Sequence, residues 1–355
     1  MVSSLNLIFL ISLPRSGSTL LQNVLSAHSA VHSVSEPWLM LPFCYAGRKT
    51  GQMTAYDSYV DGGAIALGEF LGGLKERRAV YREAVRKAAS HLYDTALRES
   101  GKKFFLDKTP RYHLILDELI EIFPEAHYVF LYRNPLAVFA SALDVFLKGD
   151  WSQFREGGIA EDLNLGWNNI ERVRGRVKFG QTVRYEALVE NPEKEIRSLC
   201  EGFGIGYEPE MLEYGQRGVL KGASGDLKSV HKHGRPVKDY KEGWRRSLDT
   251  ADKGWLAKTY LEHLGPTVVA KAGYDYAGLM GEMELALKGR KGVIAWERLT
   301  DPNRTKLGEV WSQFLYRGRT KGWFAAFGQF LWNGILNGEV LELVWKKVFS
   351  SGCKK

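Results

Sequence analysis

The sequence predicts an α/β fold, in which a parallel sheet is flanked by helices on both faces and followed by a helical C-terminal extension. Short segments that are apolar without polar alternation recur along the chain, and segments with apolar residues at helical spacing lie between them. Parallel strands buried on both faces are continuously apolar, and each crossover between them has room for a helix. The 45% hydrophobic and 25% charged residues among 355 are ordinary for a globular protein.

The predicted strands follow one another at regular intervals. The first is NLIFLISL at residues 6–13, and others are expected at 31–34, 102–108, 127–133 and 177–185. Ligands of parallel α/β sheets bind outside the carboxyl ends of the strands. The residues that follow each strand are therefore the candidates for function.

Helices are predicted between these strands. After the first strand, apolar residues repeat at helical spacing from Leu20 to His28. The segment Ser35-Glu36-Pro37 predicts a second helix start, because proline is favoured in a first helical turn. Further helices are expected at 75–100, at 111–122, behind Arg133 (with Phe139, Ala142, Leu143 and Phe146 on one face) and at 187–203.

Charge and cysteine content narrow the class of protein. The net charge of +8 favours anionic ligands without naming one. The cysteines Cys44, Cys200 and Cys353 are far apart, which is typical of a reducing compartment. The apolar start, Leu5 to Leu13, is too short for a membrane span and lacks the flanks of a signal peptide. We expect a soluble, cytoplasmic protein.

The composition changes near the C-terminus. We expect a main domain at 1–280, with a helical insertion near 45–100, and a separate helical extension at 281–355. The extension has thirteen Lys and Arg against seven Asp and Glu, and it contains five tryptophans. Its helices could pack on the core or on a second subunit of a homodimer, or could contact anionic lipid or an anionic acceptor. Nucleic acid is not expected, because the aromatic residues do not form a stacking platform.

The stretch LISLPRSGSTLL, residues 10–21, has the order of a phosphate-binding loop. A strand, a tight loop and a helix N-terminus make an anion site, because the backbone N–H groups point outward and the helix dipole favours negative charge. Measured against the ATP-binding pattern GxxxxGK[ST], Gly17 and Thr19 match, but Ser12 replaces the first glycine and Ser18 the lysine. An ordinary turn and a kinase that uses Mg-ATP both remain open at this point.

A second candidate phosphate contact lies in YRNPLAVFAS. Arg133 ends a predicted strand, and Ser141 follows eight residues later in the next helix. A guanidinium matches phosphate oxygens bidentately, so this pair could hold a second phosphate. The alternative is an arginine paired with a carboxylate at the edge of the sheet.

Four motifs in order, PRSGSTLL, DKTP, YVFLYRNPLAVFAS and VRYEALVENP, resemble the sulfotransferases that use 3′-phosphoadenosine 5′-phosphosulfate (PAPS). The resemblance covers roughly residues 5–250. It is nearest to bacterial members and to the tyrosylprotein sulfotransferase-like branch, which also has an arginine in the loop. It implies a P-loop-like sheet and an enzyme that moves a sulfuryl group from PAPS to the hydroxyl of a carbohydrate, lipid or small natural product, releasing 3′,5′-ADP.

The resemblance also implies residue roles. The first loop would bind the 5′-phosphosulfate through Arg15, Ser16, Gly17, Ser18 and Thr19. Arg133 and Ser141 would bind the 3′-phosphate, and Tyr185 would lie near the adenine. The basic loop KGASGDLK would close over the nucleotide through Lys221 and Gly222, with Arg235 following.

Sulfuryl transfer is expected to depend on positioning and charge stabilisation, by analogy with phosphoryl transfer. The sulfuryl group carries less negative charge than a phosphoryl group, so protein cations can replace a metal and none is expected. Arg15 would neutralise the leaving phosphate. Lys108 in DKTP is similar to the family lysine on the bridging oxygen, although a surface lysine is the ordinary alternative.

The acceptor hydroxyl needs a general base. Some relatives use a histidine in a KTH stretch, but Pro110 occupies that position here. The tyrosylprotein branch uses a glutamate after the second strand, and Glu36 fits that place. His113 is the second candidate. The alternative for Glu36 is a helix N-terminal carboxylate next to Ser35, which the dipole would stabilise.

Three further interpretations, a metal site, a kinase and a binding module without chemistry, are less favoured by the sequence. His231 and His233 lack nearby ligands at metal-binding spacing, so a solvated basic loop is expected there. A kinase-like phosphotransferase is disfavoured by Ser18 in the lysine position. A binding module without chemistry is disfavoured by the presence of Arg15, Lys108 and Glu36.

Overall fold

The computed structural model describes residues 6–46, 66–146, 159–217, 220, 234–236, 243–248 and 250–287. The chain divides into two compact units, 1–296 and 297–355, and every described residue belongs to the first. Most of the predicted extension therefore lies outside the described residues, as does part of the predicted insertion. The boundary between 280 and 281 stays a prediction.

The core of the described unit is a five-stranded parallel sheet. Its strands are β1 Leu7–Ile11, β2 Val31–Ser33, β3 Phe104–Asp107, β4 His127–Tyr132 and β5 Phe179–Arg184. They lie side by side in the order β2-β3-β1-β4-β5, and every pairing is parallel. The predicted parallel sheet and its strands are confirmed.

Helices lie between successive strands, as the alternating pattern in the sequence predicts, and the helix at Ile159–Arg174 was not predicted. They include α1 Ser18–Ser26, α2 Met40–Ala46, α3 Arg77–Ser100, α4 Leu116–Ile122, α5 Pro135–Phe146, α6 Ile159–Arg174, α7 Tyr185–Glu190, α8 Pro192–Phe203, α9 Trp244–Ser247, α10 Ala251–Lys271 and α11 Tyr276–Ala286, with 3₁₀ helices at Pro110–Ile115 and Pro209–Arg217. Among the described helices, none is both long enough and apolar enough to cross a membrane.

Both faces of the sheet are covered, because successive side chains of a strand point to opposite sides. On one face, Ile8 and Leu10 of β1 belong to a buried cluster that includes residues of α1, α7 and α8. On the other face, Phe9 packs against aromatic rings from α3 and the first 3₁₀ helix, with ring centroids 6.4 Å from Tyr93 and 6.2 Å from Tyr112. The sheet is thus buried between two helical layers, which explains its continuously apolar strands.

The strand order defines where a ligand would bind. From β1 the chain crosses to β2 on one side, and from β4 it crosses to β5 on the other. The connections therefore diverge between the neighbouring strands β1 and β4, and such a switch point leaves a crevice beyond the strand ends. The loops that follow these strands contain Arg15 and Arg133.

Two predicted helix boundaries are wrong. The helix expected at Ser35-Glu36-Pro37 begins only at Met40, and Glu36 lies in a segment without regular structure. The single helix expected at 187–203 is two helices that meet at Asn191. Pro192 disfavours helical backbone at the residue before it, and Asn191 accordingly has φ −133° and ψ 63°.

Candidate active site at the switch point of the sheet

The loop after β1 has the backbone of an anion site. Arg15 and Gly17 both have left-handed backbone, with φ 69° and 91°. The first helical hydrogen bond of α1 runs from Leu21 N–H to Gly17 O, so the N–H groups of the preceding turn have no acceptor within the helix. The hydroxyls of Ser16 and Ser18 are buried beside them. Oriented N–H groups at a helix N-terminus favour a bound phosphate.

Gly17 is required at its position for two reasons. Its positive φ disfavours any residue with a side chain. In addition, a Cβ placed there would lie 2.7 Å from Cε2 of Tyr185 and even closer to Cδ2. The Tyr185 ring of the predicted YE pair therefore packs directly on the phosphate loop, although the two residues are far apart in sequence.

The two predicted arginines meet beside this loop. Arg15 Nε donates to Ser141 Oγ at 3.1 Å, and Arg133 Nη1 donates to the carbonyl oxygen of Arg15 at 3.0 Å. The Arg133 guanidinium also lies over the Tyr185 ring, 4.5 Å from its centroid. Burial lowers the pKa of Arg133, whereas Tyr185 and Glu186 raise it. An arginine remains protonated in proteins, so this pocket holds two cations.

Lys108 and Glu36 form a buried ion pair at the same end of the sheet. Lys108 Nζ lies 2.6 Å from Glu36 Oε1, with side-chain exposures of 1% and 9%. It also lies 3.5 Å from Thr19 Oγ1 in the first turn of α1. The predicted base, Glu36, and the lysine predicted to contact the bridging oxygen, Lys108, thus lie together beside the phosphate loop. The interpretation of Lys108 as a surface lysine and that of Glu36 as a helix N-terminal carboxylate are both wrong, since Lys108 is buried and no helix begins at Glu36.

Gln22 holds the segment that carries Glu36, and the sequence analysis missed it. The Nε2 of this buried amide on α1 lies 2.9 Å from Ser33 Oγ and 2.7 Å from each of the carbonyl oxygens of Val34 and Ser35, so its two hydrogens are shared among three acceptors. The signal in the sequence is a polar residue on the apolar side of α1. Its partners could not be known before the fold.

Glu186 is a second residue that the sequence analysis missed. Its Oε1 accepts from the backbone N–H of Asn134 at 2.9 Å, and its Oε2 accepts from the Tyr274 hydroxyl at 2.6 Å. The two members of the YE pair thus have different contacts. Tyr185 packs on the phosphate loop, whereas Glu186 braces the residue that follows Arg133.

His113 lies in a different cluster. Its Nε2 is 3.0 Å from Asp162 Oδ1, and Arg111 Nε is 3.3 Å from Asp162 Oδ2. Burial and the neighbouring Asp162 raise the pKa of the preceding residue, Glu161, to about 7, and Arg111 partly offsets this rise. The His113 side chain is fully buried and bonded to Asp162, while the Lys108 ion pair is made with Glu36.

The remaining predicted contacts lie largely outside the described residues. Lys221 and Gly222 are outside them, as are His231 and His233. Arg235 is described, and it forms an exposed ion pair with Glu213. Its role toward the nucleotide stays a prediction. Within the described part of the chain, no group of three His, Cys, Asp or Glu side chains could hold a metal ion.

Comparison with known proteins shows to which family the chain belongs. A family model described as "Sulfotransferase family" matches residues 7–209, from β1 to the start of the second 3₁₀ helix. Nodulation protein NoeE of Sinorhizobium fredii (strain NBRC 101917 / NGR234) is 33% identical over 313 residues, which cover 77% of this chain and 67% of NoeE.

Two solved structures are also similar. The sulfotransferase domain of the Synechococcus PCC 7002 olefin synthase is 25% identical, with a TM-score of 0.46, over 72% of this chain and 94% of that domain. The sulfotransferase domain of the curacin biosynthetic pathway is 23% identical, with a TM-score of 0.45, over 67% of this chain and 89% of that domain.

The tyrosylprotein branch named by the sequence motifs stays a prediction. The family model, in contrast, spans more than half of the chain and includes the loop after β1, the DKTP stretch, the loop after β4 and the YE pair. The chain therefore belongs to the sulfotransferase family and is an enzyme that transfers sulfate.

Proposed function

We propose that this sulfotransferase uses PAPS as its donor and a hydroxyl of a carbohydrate, lipid or small natural product as its acceptor, with Glu36 as the general base. The observation that carries the proposal is the buried Lys108–Glu36 ion pair next to Thr19. A cation and a carboxylate held together beside an anion-binding loop supply both requirements of the reaction, which are charge stabilisation and removal of a proton.

The residues present fit a donor with two phosphate positions. The N-terminus of α1 and the hydroxyls of Ser16, Ser18 and Thr19 suit the 5′-phosphosulfate. Ser141 accepts from Arg15 through its oxygen, so its own hydroxyl hydrogen remains available for a phosphate oxygen. With Arg133, it suits a 3′-phosphate. The Tyr185 ring adds an aromatic surface beside both positions.

The chain's own groups then perform the transfer. PAPS supplies a sulfuryl group bonded to a good leaving phosphate. Glu36 takes the proton of the acceptor hydroxyl while the oxygen of that hydroxyl bonds to sulfur. The bond between sulfur and the leaving phosphate oxygen breaks in the same step. Lys108 and Arg15 balance the charge that develops on that phosphate, so 3′,5′-ADP is released with its charge compensated.

The Mg-ATP phosphotransferase is not favoured, because the chain belongs to the sulfotransferase family and Ser18 takes the position of the nucleotide-binding lysine. Within the proposed reaction, His113 remains the alternative base. Its hydrogen bond to Asp162 favours an interpretation in which it holds the start of α6 against the first 3₁₀ helix.

A binding experiment tests the choice of donor. The thermal unfolding midpoint of the chain is measured with 3′,5′-ADP, with 5′-AMP and with Mg-ATP at matched concentrations. We expect 3′,5′-ADP to raise the midpoint most, and Arg133→Ala to abolish its advantage over 5′-AMP. Stabilisation by Mg-ATP alone would contradict the proposal.

A further inference from the structure

Asp107, the residue before Lys108, accepts three buried hydrogen bonds that are not part of the Lys108–Glu36 ion pair. Asp107 ends β3 and is 1% exposed. Its Oδ2 accepts from the hydroxyls of Tyr93 at 2.6 Å and Tyr112 at 2.9 Å, and its Oδ1 accepts from the Thr109 hydroxyl at 3.2 Å. A buried carboxylate requires such donors, but these three come from different elements and lead in different directions.

Two of the three hydroxyls also hold the segment that carries Glu36. We name residues 36–40 the base segment. The backbone N–H of Trp38 donates to Thr109 Oγ1 at 3.2 Å, and that of Met40 donates to the Tyr112 hydroxyl at 3.1 Å. The base segment is not helical before Met40, and Trp38 has left-handed backbone with φ 54°. A non-glycine residue keeps this conformation only where its surroundings impose it.

The direction of these hydrogen bonds gives Asp107 its role. A hydroxyl has one hydrogen to donate and lone pairs to accept with. When Thr109 and Tyr112 direct their hydrogens to Asp107, their lone pairs are left facing the amides of Trp38 and Met40. The carboxylate therefore orients both acceptors of the base segment.

We propose that Asp107 is a positioning residue that holds Glu36 against Lys108, acting through Thr109 and Tyr112 on the amides of Trp38 and Met40. The inference rests on the proposed function in that Glu36 is the base. It adds a second anchor to that of Gln22, which binds the chain just before the base segment, at Ser33 to Ser35.

Two buried tyrosines provide a matched pair of variants. Tyr93→Phe and Tyr112→Phe each remove one hydroxyl from the same oxygen of Asp107, and both rings are nearly fully buried. Only the Tyr112 hydroxyl also accepts from Met40. The two variants therefore remove the same donor from Asp107 but differ at the base segment, so their comparison isolates the link that runs through Tyr112.

Hydrogen exchange of individual backbone amides tests the proposal in the ligand-free, full-length protein. We expect Tyr112→Phe to speed exchange at Met40, Thr109→Val to speed it at Trp38, and Tyr93→Phe to change neither. Thr109→Ser, which keeps the hydroxyl, should restore protection at Trp38. Equal exchange at Met40 in the two tyrosine variants would overturn the proposal.

Steady-state kinetics with PAPS test the same variants in catalysis. The acceptor is any member of a panel of carbohydrates, lipids and natural products that the unaltered chain sulfates. We expect kcat to fall about ten-fold in Tyr112→Phe and Thr109→Val, since small misplacements of a catalytic group are costly. The KM for PAPS should not change, and Tyr93→Phe should keep the unaltered kcat. A shift of KM with kcat unchanged would also overturn the proposal.

The two readouts separate this inference from the proposed function. Exchange at Trp38 and Met40 needs no substrate, so it reports on Asp107 even if the chain does not turn over PAPS. If the exchange results hold while 3′,5′-ADP does not bind, the proposed donor is wrong and the anchoring of the base segment stands. Asp107→Asn still accepts from both tyrosines but faces Thr109 with an N–H group, so the Thr109 hydrogen loses its acceptor. We expect faster exchange at Trp38 in this variant, with protection at Met40 retained. Unchanged exchange at Trp38 would count against the proposal.

Discussion

Single residues in this site hold charges that have little contact with water. Lys108 is 1% exposed, and the carboxylate of Glu36 lies 2.6 Å from its ammonium. Taking either partner away leaves the other buried without its counter-charge, which is strongly destabilising in proteins. The same two groups have chemical roles in the proposed reaction, so their substitution should affect stability and turnover together.

Glu36→Gln tests the base directly. Glutamine keeps the shape of the side chain but accepts no proton, so we expect kcat to fall by about 10²- to 10⁴-fold. The affinity for 3′,5′-ADP should be retained, because Glu36 lies on the acceptor side of Lys108 in the proposed arrangement. Calorimetric binding and kcat, both measured well below the unfolding midpoint, check this. Full turnover in this variant, with loss of turnover in His113→Gln, would move the base to His113.

Gly17→Ala should abolish donor binding. The new Cβ would combine an unfavourable φ of 91° with a clash against the Tyr185 ring. Gly101→Ala is the matched control, since Gly101 also has a positive φ of 65° but nothing lies within 4 Å of its Cβ position. We expect both variants to lose about 1 kcal/mol from the backbone, and only Gly17→Ala to lose 3′,5′-ADP binding as well. Equal binding by the two would show that the Tyr185 contact is unimportant.

Asp107 should make the stability of the protein depend on pH. Burial raises its pKa from 3.8 to about 6, although Tyr93, Tyr112, Thr109 and Lys108 act in the opposite direction. The folded protein thus holds this proton more tightly than the unfolded chain. The resulting stabilisation is fully present below about pH 4 and is lost as the pH rises through about 6, and it amounts to about 3 kcal/mol.

Asparagine at 107 does not titrate, so Asp107→Asn removes that dependence. The free energy of unfolding of the unaltered chain, minus that of the variant, should fall by about 2 kcal/mol between pH 4 and pH 7. Denaturant unfolding of both proteins across that range measures the difference, in which the other carboxylates cancel. A difference that is constant with pH would mean that Asp107 does not titrate there.

At the scale of elements, α1 connects the phosphate loop to the base segment. Its N-terminus follows Gly17, and its Gln22 binds the chain just before Glu36. We expect Gln22→Leu to cost about 1–3 kcal/mol, because the acceptors on Ser33, Val34 and Ser35 lose their donor, and to lower kcat as the base segment moves.

Gln181→Leu is the control for Gln22→Leu. Gln181 also donates from a side-chain amide to a backbone carbonyl of another element, that of Ser198 at 2.9 Å, but on β5 and away from the loops of the site. Denaturant unfolding and PAPS turnover of both variants should show lost stability with lost kcat for Gln22, and full kcat for Gln181. Unchanged kcat in Gln22→Leu would show that Gln22 does not position Glu36.

Most strands and helices could be predicted from the sequence, whereas the hydrogen bonds between side chains of different elements could not. Continuous apolar runs located β1 and β4, and a loop following each then placed Arg15 and Arg133 together once the sheet was taken as parallel. The helix start at Ser35 was wrong because proline next to a capping residue is only a local preference. That preference gave way to the long-range bonds of Gln22 and Thr109.

At the scale of the whole molecule, the site is assembled at one end of the sheet from segments distant in sequence. The phosphate loop, the base segment, the end of β3, the loop after β4 and the YE pair meet there. Family motifs could identify Arg15, Lys108, Arg133, Ser141 and Tyr185 because the resemblance assigns a role to each of these positions. Gln22 stood out only as a polar residue on the apolar side of α1, and Asp107 and Glu186 lay inside motifs without an assigned role. The partners of these three residues come near only through the fold.

The most direct test of the central claim is a comparison of the two donors in one assay. The full chain is incubated with sulfur-labelled PAPS or with ATP labelled in its γ-phosphate and Mg²⁺, against the same panel of hydroxyl-bearing acceptors. We expect label to pass from PAPS to at least one acceptor, with equal release of 3′,5′-ADP and with loss of transfer in Glu36→Gln. Transfer of label from ATP and none from PAPS would contradict it.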